Sequence, residues 1–220
     1  MNRVSFSVLL IGAATMAGVP ASSNIDAAHR FTWGENMGWV SWRGDTPNPG
    51  DGVFVALDHL GGFAWAENVG WINLGNGGGP YANDVNDSAT FGVNVDPQTG
   101  DLSGMAWGEN IGWVDFDTTA FGADRANYSV CDRSFSGFAW AENVGWINLS
   151  DAAHFLAVGP CESGDLDCDG TIRLDDYAGF ANWFDGPGAV TTCSLFDADN
   201  DGDIDLMDFA KVQLALVASP

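Results

Sequence analysis

The chain has 220 residues, 30 acidic against 7 basic, for a net charge of −23. That balance excludes nucleic acid and anionic membrane surfaces as electrostatic partners, because both require positive charge, and it suits cations instead. The length permits a substantial core, and a compositional shift near residue 160 separates a tryptophan-rich portion from an acidic one.

At the N-terminus Arg3 is followed by an apolar run over residues 8–17 and then by Val19-Pro20-Ala21, small residues of the kind a signal peptidase requires. Residues 1–21 therefore read as a signal peptide, since the run falls short of the roughly 20 apolar residues that span a bilayer. A secreted, extracellular or surface-attached protein is expected. The cysteines Cys131, Cys161, Cys168 and Cys193 are then expected as disulfides. Three pairings are open, and Cys131–Cys161 with Cys168–Cys193 is the expected one.

Residues 22–158 are organised by the pattern W-[AG]-E-N-x-G-W-[VI], which begins at Trp33, Trp65, Trp107 and Trp140, at spacings of 32, 42 and 33 residues. Apolar residues alternate on both sides of a short turn that holds Glu and Asn, which predicts a β-hairpin. A short strand is predicted before the later copies, over residues 51–57, 91–95 and 128–130, making each unit a small meander. The long middle spacing reflects a surface insertion across residues 75–87. A lone hairpin is marginal in water, so the units must share a core. The expected fold is mainly β, a propeller-, prism- or roll-like repeat domain with the tryptophans inside. The first copy, preceded only by residues 25–31, would be a cap or a closing piece. Glycines Gly38, Gly70, Gly112 and Gly145 should permit a positive φ or a close approach. The pairs Glu35-Asn36, Glu67-Asn68, Glu109-Asn110 and Glu142-Asn143 read as turn residues bonding backbone, because catalysis needs an asymmetric set of separately tuned groups. His29, His59 and His154 have no metal-ligand spacing, so no catalytic constellation is expected.

The acidic portion carries two twelve-residue loops. In the first, Asp165, Asp167, Asp169 and Asp176 take positions 1, 3, 5 and 12, with Gly170 at 6 and Thr171 at 7. The second places Asp197, Asp199, Asp201 and Asp208 at the same positions, with Gly202 at 6, Asp203 at 7 and Asp205 at 9. Calcium takes six to eight oxygens around a sharp turn, and this spacing supplies four carboxylates and the carbonyl of position 7. Two calcium ions are expected, the first bound more weakly because Arg173 holds its position 9. A helical pattern follows each loop: Tyr177, Phe180, Ala181 and Phe184, then Phe209, Val212 and Leu216.

A duplicated loop-helix unit with Asp at position 12, over residues 161–217, resembles the type I dockerin domain. The resemblance implies a small helical module that folds around two calcium ions and docks onto a cohesin-like or other cell-surface protein. Positions 10 and 11 hold Leu174-Asp175 and Leu206-Met207, where dockerins of the well-known cellulosomal systems often carry Ser-Thr, so that partner specificity does not carry over. The tryptophan repeats are similar to repeats in exported bacterial surface proteins. The leading expectation is a calcium-binding adhesion or assembly protein without enzymatic activity. The second is a polysaccharide-binding or accessory component of an extracellular degradative complex, and the third is a glycoside hydrolase, which would need a privileged carboxylate pair. Exposure of the repeat tryptophans separates the first two.

Overall fold

The computed structural model describes residues 23–44, 52–84, 87–161, 164–168, 170–189, 191, 193 and 195–218. The expected signal peptide and Asp169 lie outside the described residues. In chain order the strands are β1 (Phe31–Gly34), β2 (Gly38–Ser41), β3 (Val53–Val55), β4 (Leu60–Ala66), β5 (Gly70–Gly75) and β6 (Val93–Val95). They continue with β7 (Leu102–Gly108), β8 (Gly112–Asp115), β9 (Asn127–Ser129), β10 (Ser134–Ser136), β11 (Phe138–Ala141) and β12 (Gly145–Asn148).

Each repeat copy is one hairpin, β1–β2, β4–β5, β7–β8 or β11–β12. The glycine that ends each turn has φ of +76°, +88°, +76° and +90° in the four copies, a region only glycine enters without strain. Every hairpin leaves two open edges, and each is paired by the next: β2 with β4, β5 with β7, β8 with β11, and β12 with β1. Eight antiparallel strands thus close into a barrel. This replaces the expected propeller, prism or roll, because closure removes every exposed edge that those architectures would still have to protect. The first hairpin is the closing piece, and an Ile25–Val158 bridge reinforces the seam. β3 and β6 pair with the leading halves of β4 and β7, and β9 pairs with β10 just before β11, so the expected meanders form.

The barrel interior reverses the expected placement of the tryptophans. Facing inward, Thr32, Ala64, Ala106 and Ala139 lie opposite Val40, Ile72, Val114 and Ile147, a small residue against a branched one in all four hairpins. A second layer consists of Trp42, Leu74, Phe116 and Leu149, and all of these residues are buried. The cross-strand pairs Trp33–Trp39, Trp65–Trp71, Trp107–Trp113 and Trp140–Trp146 point outward, with edge-to-face rings 4.7–5.1 Å apart. Trp33, Trp65, Trp71, Trp107 and Trp140 are 38–52% exposed, and of the nine repeat tryptophans only Trp42 is buried. The cause is volume: an eight-stranded barrel has room for small and medium side chains and none for eight indoles.

The variable motif position after Asn plugs the barrel mouth. Met37 and Ile111 are buried, and Val69 and Val144 pack against the same core. Gly34 and Gly108 accompany the larger plugs, and a Cβ on either would overlap the Met37 or Ile111 side chain. Ala66 and Ala141 accompany the smaller valines. The Ala/Gly alternation in the motif is therefore a volume match.

Beyond the barrel, α1 (Leu174–Asn182) and α2 (Leu206–Ala218) pack through Phe180 and Val212 around Leu166, Cys193, Phe196 and Ile204. Of the expected helical positions, Tyr177 and Phe184 remain exposed. This second core abuts the β region through Leu57 and Val130. Asn24 bridges the two parts, donating to the carbonyls of Val55 (2.7 Å) and Asp167 (2.9 Å). The disulfides are Cys131–Cys193 and Cys161–Cys168, which corrects the expected pairing. Cys131 follows β9 on the side that meets the helical module, so its partner is 62 residues away and not the nearest in sequence.

Candidate metal centre

Among the described residues the two acidic loops share their turns. At position 4, Cys168 (φ +59°) and Asn200 (φ +62°) are left-handed, and at position 6 Gly170 (+86°) and Gly202 (+95°) are as well. These two turns bring the chain back on itself, and the hydrogen bonds repeat accordingly. Asp165 Oδ2 accepts the Gly170 N–H at 2.9 Å, and Asp197 Oδ2 accepts the Gly202 N–H at 3.1 Å. Asp176 accepts from Asp167 (3.4 Å) and Arg173 (2.7 Å), and Asp208 from Asp199 (3.1 Å) and Asp205 (2.8 Å). Position 12 thereby ties positions 3 and 9 to the first turn of the helix, and both Asp176 and Asp208 are buried.

Carboxylate oxygens converge in both loops. Asp165, Asp167 and Asp176 each offer one oxygen within 4.8 Å of the others, as do Asp197, Asp199 and Asp208. Oxygens on opposite sides of a calcium ion are separated by about 4.6–5.2 Å, twice the usual bond length, so the spacing within each set is one that a single such ion would span. Thr171 occupies position 7 of the first loop and is exposed, and Asp201 is exposed outside the converging sets. The spacing assigned Asp203 only a carbonyl, but its carboxylate also forms a set with Asp205 and Asp208. Asp205 also accepts the Met207 N–H at 2.7 Å, which caps α2.

The donor set fits a cation on a further count. Asp199 Oδ1 and Asp203 Oδ1 are buried without a hydrogen-bond partner, which is costly for an anionic oxygen unless a positive charge meets it. Burial, together with the neighbouring Asp201 and Asp208 charges, holds the Asp199 carboxyl above the usual carboxylate range. A divalent ion reverses that balance. The all-oxygen donor set suits a hard divalent cation, calcium or magnesium, and not a thiophilic metal.

The other singled-out side chains lie at the barrel mouth. Each turn asparagine donates to the carbonyl of the plug residue in the preceding hairpin: Asn36 to Val144 (3.0 Å), Asn68 to Met37 (3.2 Å), Asn110 to Val69 (2.9 Å) and Asn143 to Ile111 (2.9 Å). This ring of bonds stitches the four hairpins together, as the turn reading anticipated for Asn. The accompanying Glu35, Glu67, Glu109 and Glu142 are exposed. Among the described residues no helix is long and apolar enough to cross a membrane. No protein-family model, curated protein or solved structure matches the chain.

Proposed function

We propose that this is a secreted calcium-binding attachment protein, in which the carboxyl-terminal module holds two calcium ions and docks to a cohesin-like or other cell-surface partner. The observation that carries the reading is the repeated wiring of the two loops, with convergent carboxylates and buried oxygens that lack a partner in the second. The resemblance of residues 161–217 to type I dockerins supports the docking role. Leu206 and Met207, at positions 10 and 11 of the second loop, are 68% and 63% exposed at the start of α2, an apolar surface of the kind a protein partner covers. The barrel serves as a calcium-independent scaffold without catalytic activity.

The test has two arms. Calorimetry of the full chain should resolve two calcium ions, the tighter lost in Asp208→Ala and the weaker in Asp165→Ala. The loaded chain should be retained on immobilised cohesin domains, released by EDTA, and lost from them in a Leu206→Asp/Met207→Asp variant. A chain that takes up no calcium, or a loaded chain that every cohesin rejects, would refute the reading.

A further inference from the structure

The outward face of the barrel repeats a second arrangement, unrelated to calcium. Where adjacent hairpins pair, the first tryptophan of one lies directly opposite a polar residue of its predecessor. The pairs are Trp33 with Asn148, Trp65 with Ser41, Trp107 with Asn73, and Trp140 with Asp115. The polar residue stands two positions after the second tryptophan of the preceding hairpin, and the glutamate stands two positions after the first tryptophan of the next. Each seam therefore carries two indoles, a glutamate and one further polar side chain, which at the fourth seam is a second carboxylate, Asp115.

Two seams open into clefts. One is lined by Trp146, Asn148, Trp33 and Glu35, with Phe121 and Phe138 as additional walls, and has a volume of about 410 Å³. The other is lined by Trp39, Ser41, Trp65 and Glu67, with Arg30 and His154 at its side, and measures about 490 Å³. Both fall within the range of about 300–1,000 Å³ typical of small-ligand sites. The same four motif positions line both clefts, and residues outside the motif, Phe121 and Phe138 at one and Arg30 and His154 at the other, deepen these two seams.

Core packing does not account for this surface, although each pair adds an edge-to-face contact within its hairpin. The barrel core is complete without the tryptophan pairs, and leaving large aromatic faces in water forgoes burial worth roughly 25 cal/mol per Å². We infer that the seams are binding clefts for the sugar rings of a neutral polysaccharide. Indole faces take the apolar C–H face of a pyranose, and Glu with Asn or Ser accepts and donates to its hydroxyls. The chain's charge of −23 and the cleft carboxylates disfavour an anionic polymer. An organic ammonium, which aromatic cages also hold, is disfavoured by Arg30 at the second cleft, whereas the first, with Glu35 and Asp124, suits one by charge, which makes choline the comparator for that cleft. Recurrence around a closed ring matches a ligand that itself repeats, since one polymer can engage successive clefts at high effective concentration.

The experiment uses the full chain in EDTA, which separates this inference from the calcium-dependent one. Cellohexaose, xylohexaose, laminarihexaose and mannohexaose are titrated by calorimetry and tryptophan fluorescence, with heparin and choline as comparators. At least one neutral hexasaccharide should bind, with more than one site per chain. Trp65→Ala and Glu67→Gln should each weaken the clefted site by at least about tenfold. Unchanged thermal unfolding of Glu67→Gln guards against a folding artefact. The inference is overturned if none of the four sugars binds at millimolar concentration, if the variants bind like the parent, or if choline or heparin binds in their place.

Discussion

The barrel and the carboxyl-terminal module are both built from repeats, but they repeat different things. The barrel repeats volumes, with a small residue facing a branched one in each hairpin and a plug matched to the glycine or alanine before it. The module repeats ligand positions, so its two loops share backbone conformation while their core residues differ. Packing therefore holds the first together in plain water, whereas the second gathers like charges and leaves carboxylate oxygens of Asp199 and Asp203 without a protein partner. The outward tryptophans, the largest side chains of the hairpins, are consequently not the barrel's most important ones for stability.

The sharpest way to break that comparison is to truncate a barrel interior residue. Ile147→Ala should cost about 2–5 kcal/mol in denaturant unfolding, as for other buried aliphatic side chains. The next effect separates the two regions by their solvent. Chelation should remove about 2.7 kcal/mol per bound ion from the module relative to calcium at a hundred times its dissociation constant, with helical circular dichroism falling while the tryptophan fluorescence of the barrel stays fixed. A common loss of both signals would mean that the two cores unfold as one.

The volume match is tested more finely at the barrel mouth. Gly34→Ala should cost about 1–3 kcal/mol through overpacking against Met37, and adding Met37→Val should restore most of it by recreating the Ala–Val combination of the second and fourth copies. The smallest effect belongs to the largest side chain: Trp140→Ala should cost only about 1 kcal/mol, chiefly its edge-to-face contact with Trp146. A larger loss there than at Ile147 would return the tryptophans to the core.

What the sequence discloses follows from the range of each interaction. The hairpins are legible because Glu-Asn-x-Gly fixes a turn within a few residues, and the two acidic loops because the carboxylates that converge in each fall within twelve. The strand faces were misread for a physical reason. In Phe138-Ala139-Trp140-Ala141 both alternating sets are apolar, so hydropathy does not choose between them, and the choice is made by the bore of a barrel that exists only after closure. Nothing local says that β12 will meet β1, or that Cys131 will meet Cys193. The carboxylate of Asp203 was missed because spacing assigns its position a carbonyl, although its acidic side chain was visible. The clefts were missed because their two walls come from different hairpins.

The Cys131–Cys193 bond also sets how the molecule would carry load. If the helical module is held by a partner while the barrel grips a polymer, tension entering through α2 reaches the bond at Cys193 and crosses to Cys131, at the rim of the β region. The first acidic loop and α1 lie within the covalent bypass, between residues 131 and 193, and are shielded from the pull. The second loop stands in series with it. Shear would thus be felt at one calcium site and spared at the other, so the grip of a stretched chain would depend on the ion held by Asp197, Asp199 and Asp208 while its neighbour kept its own.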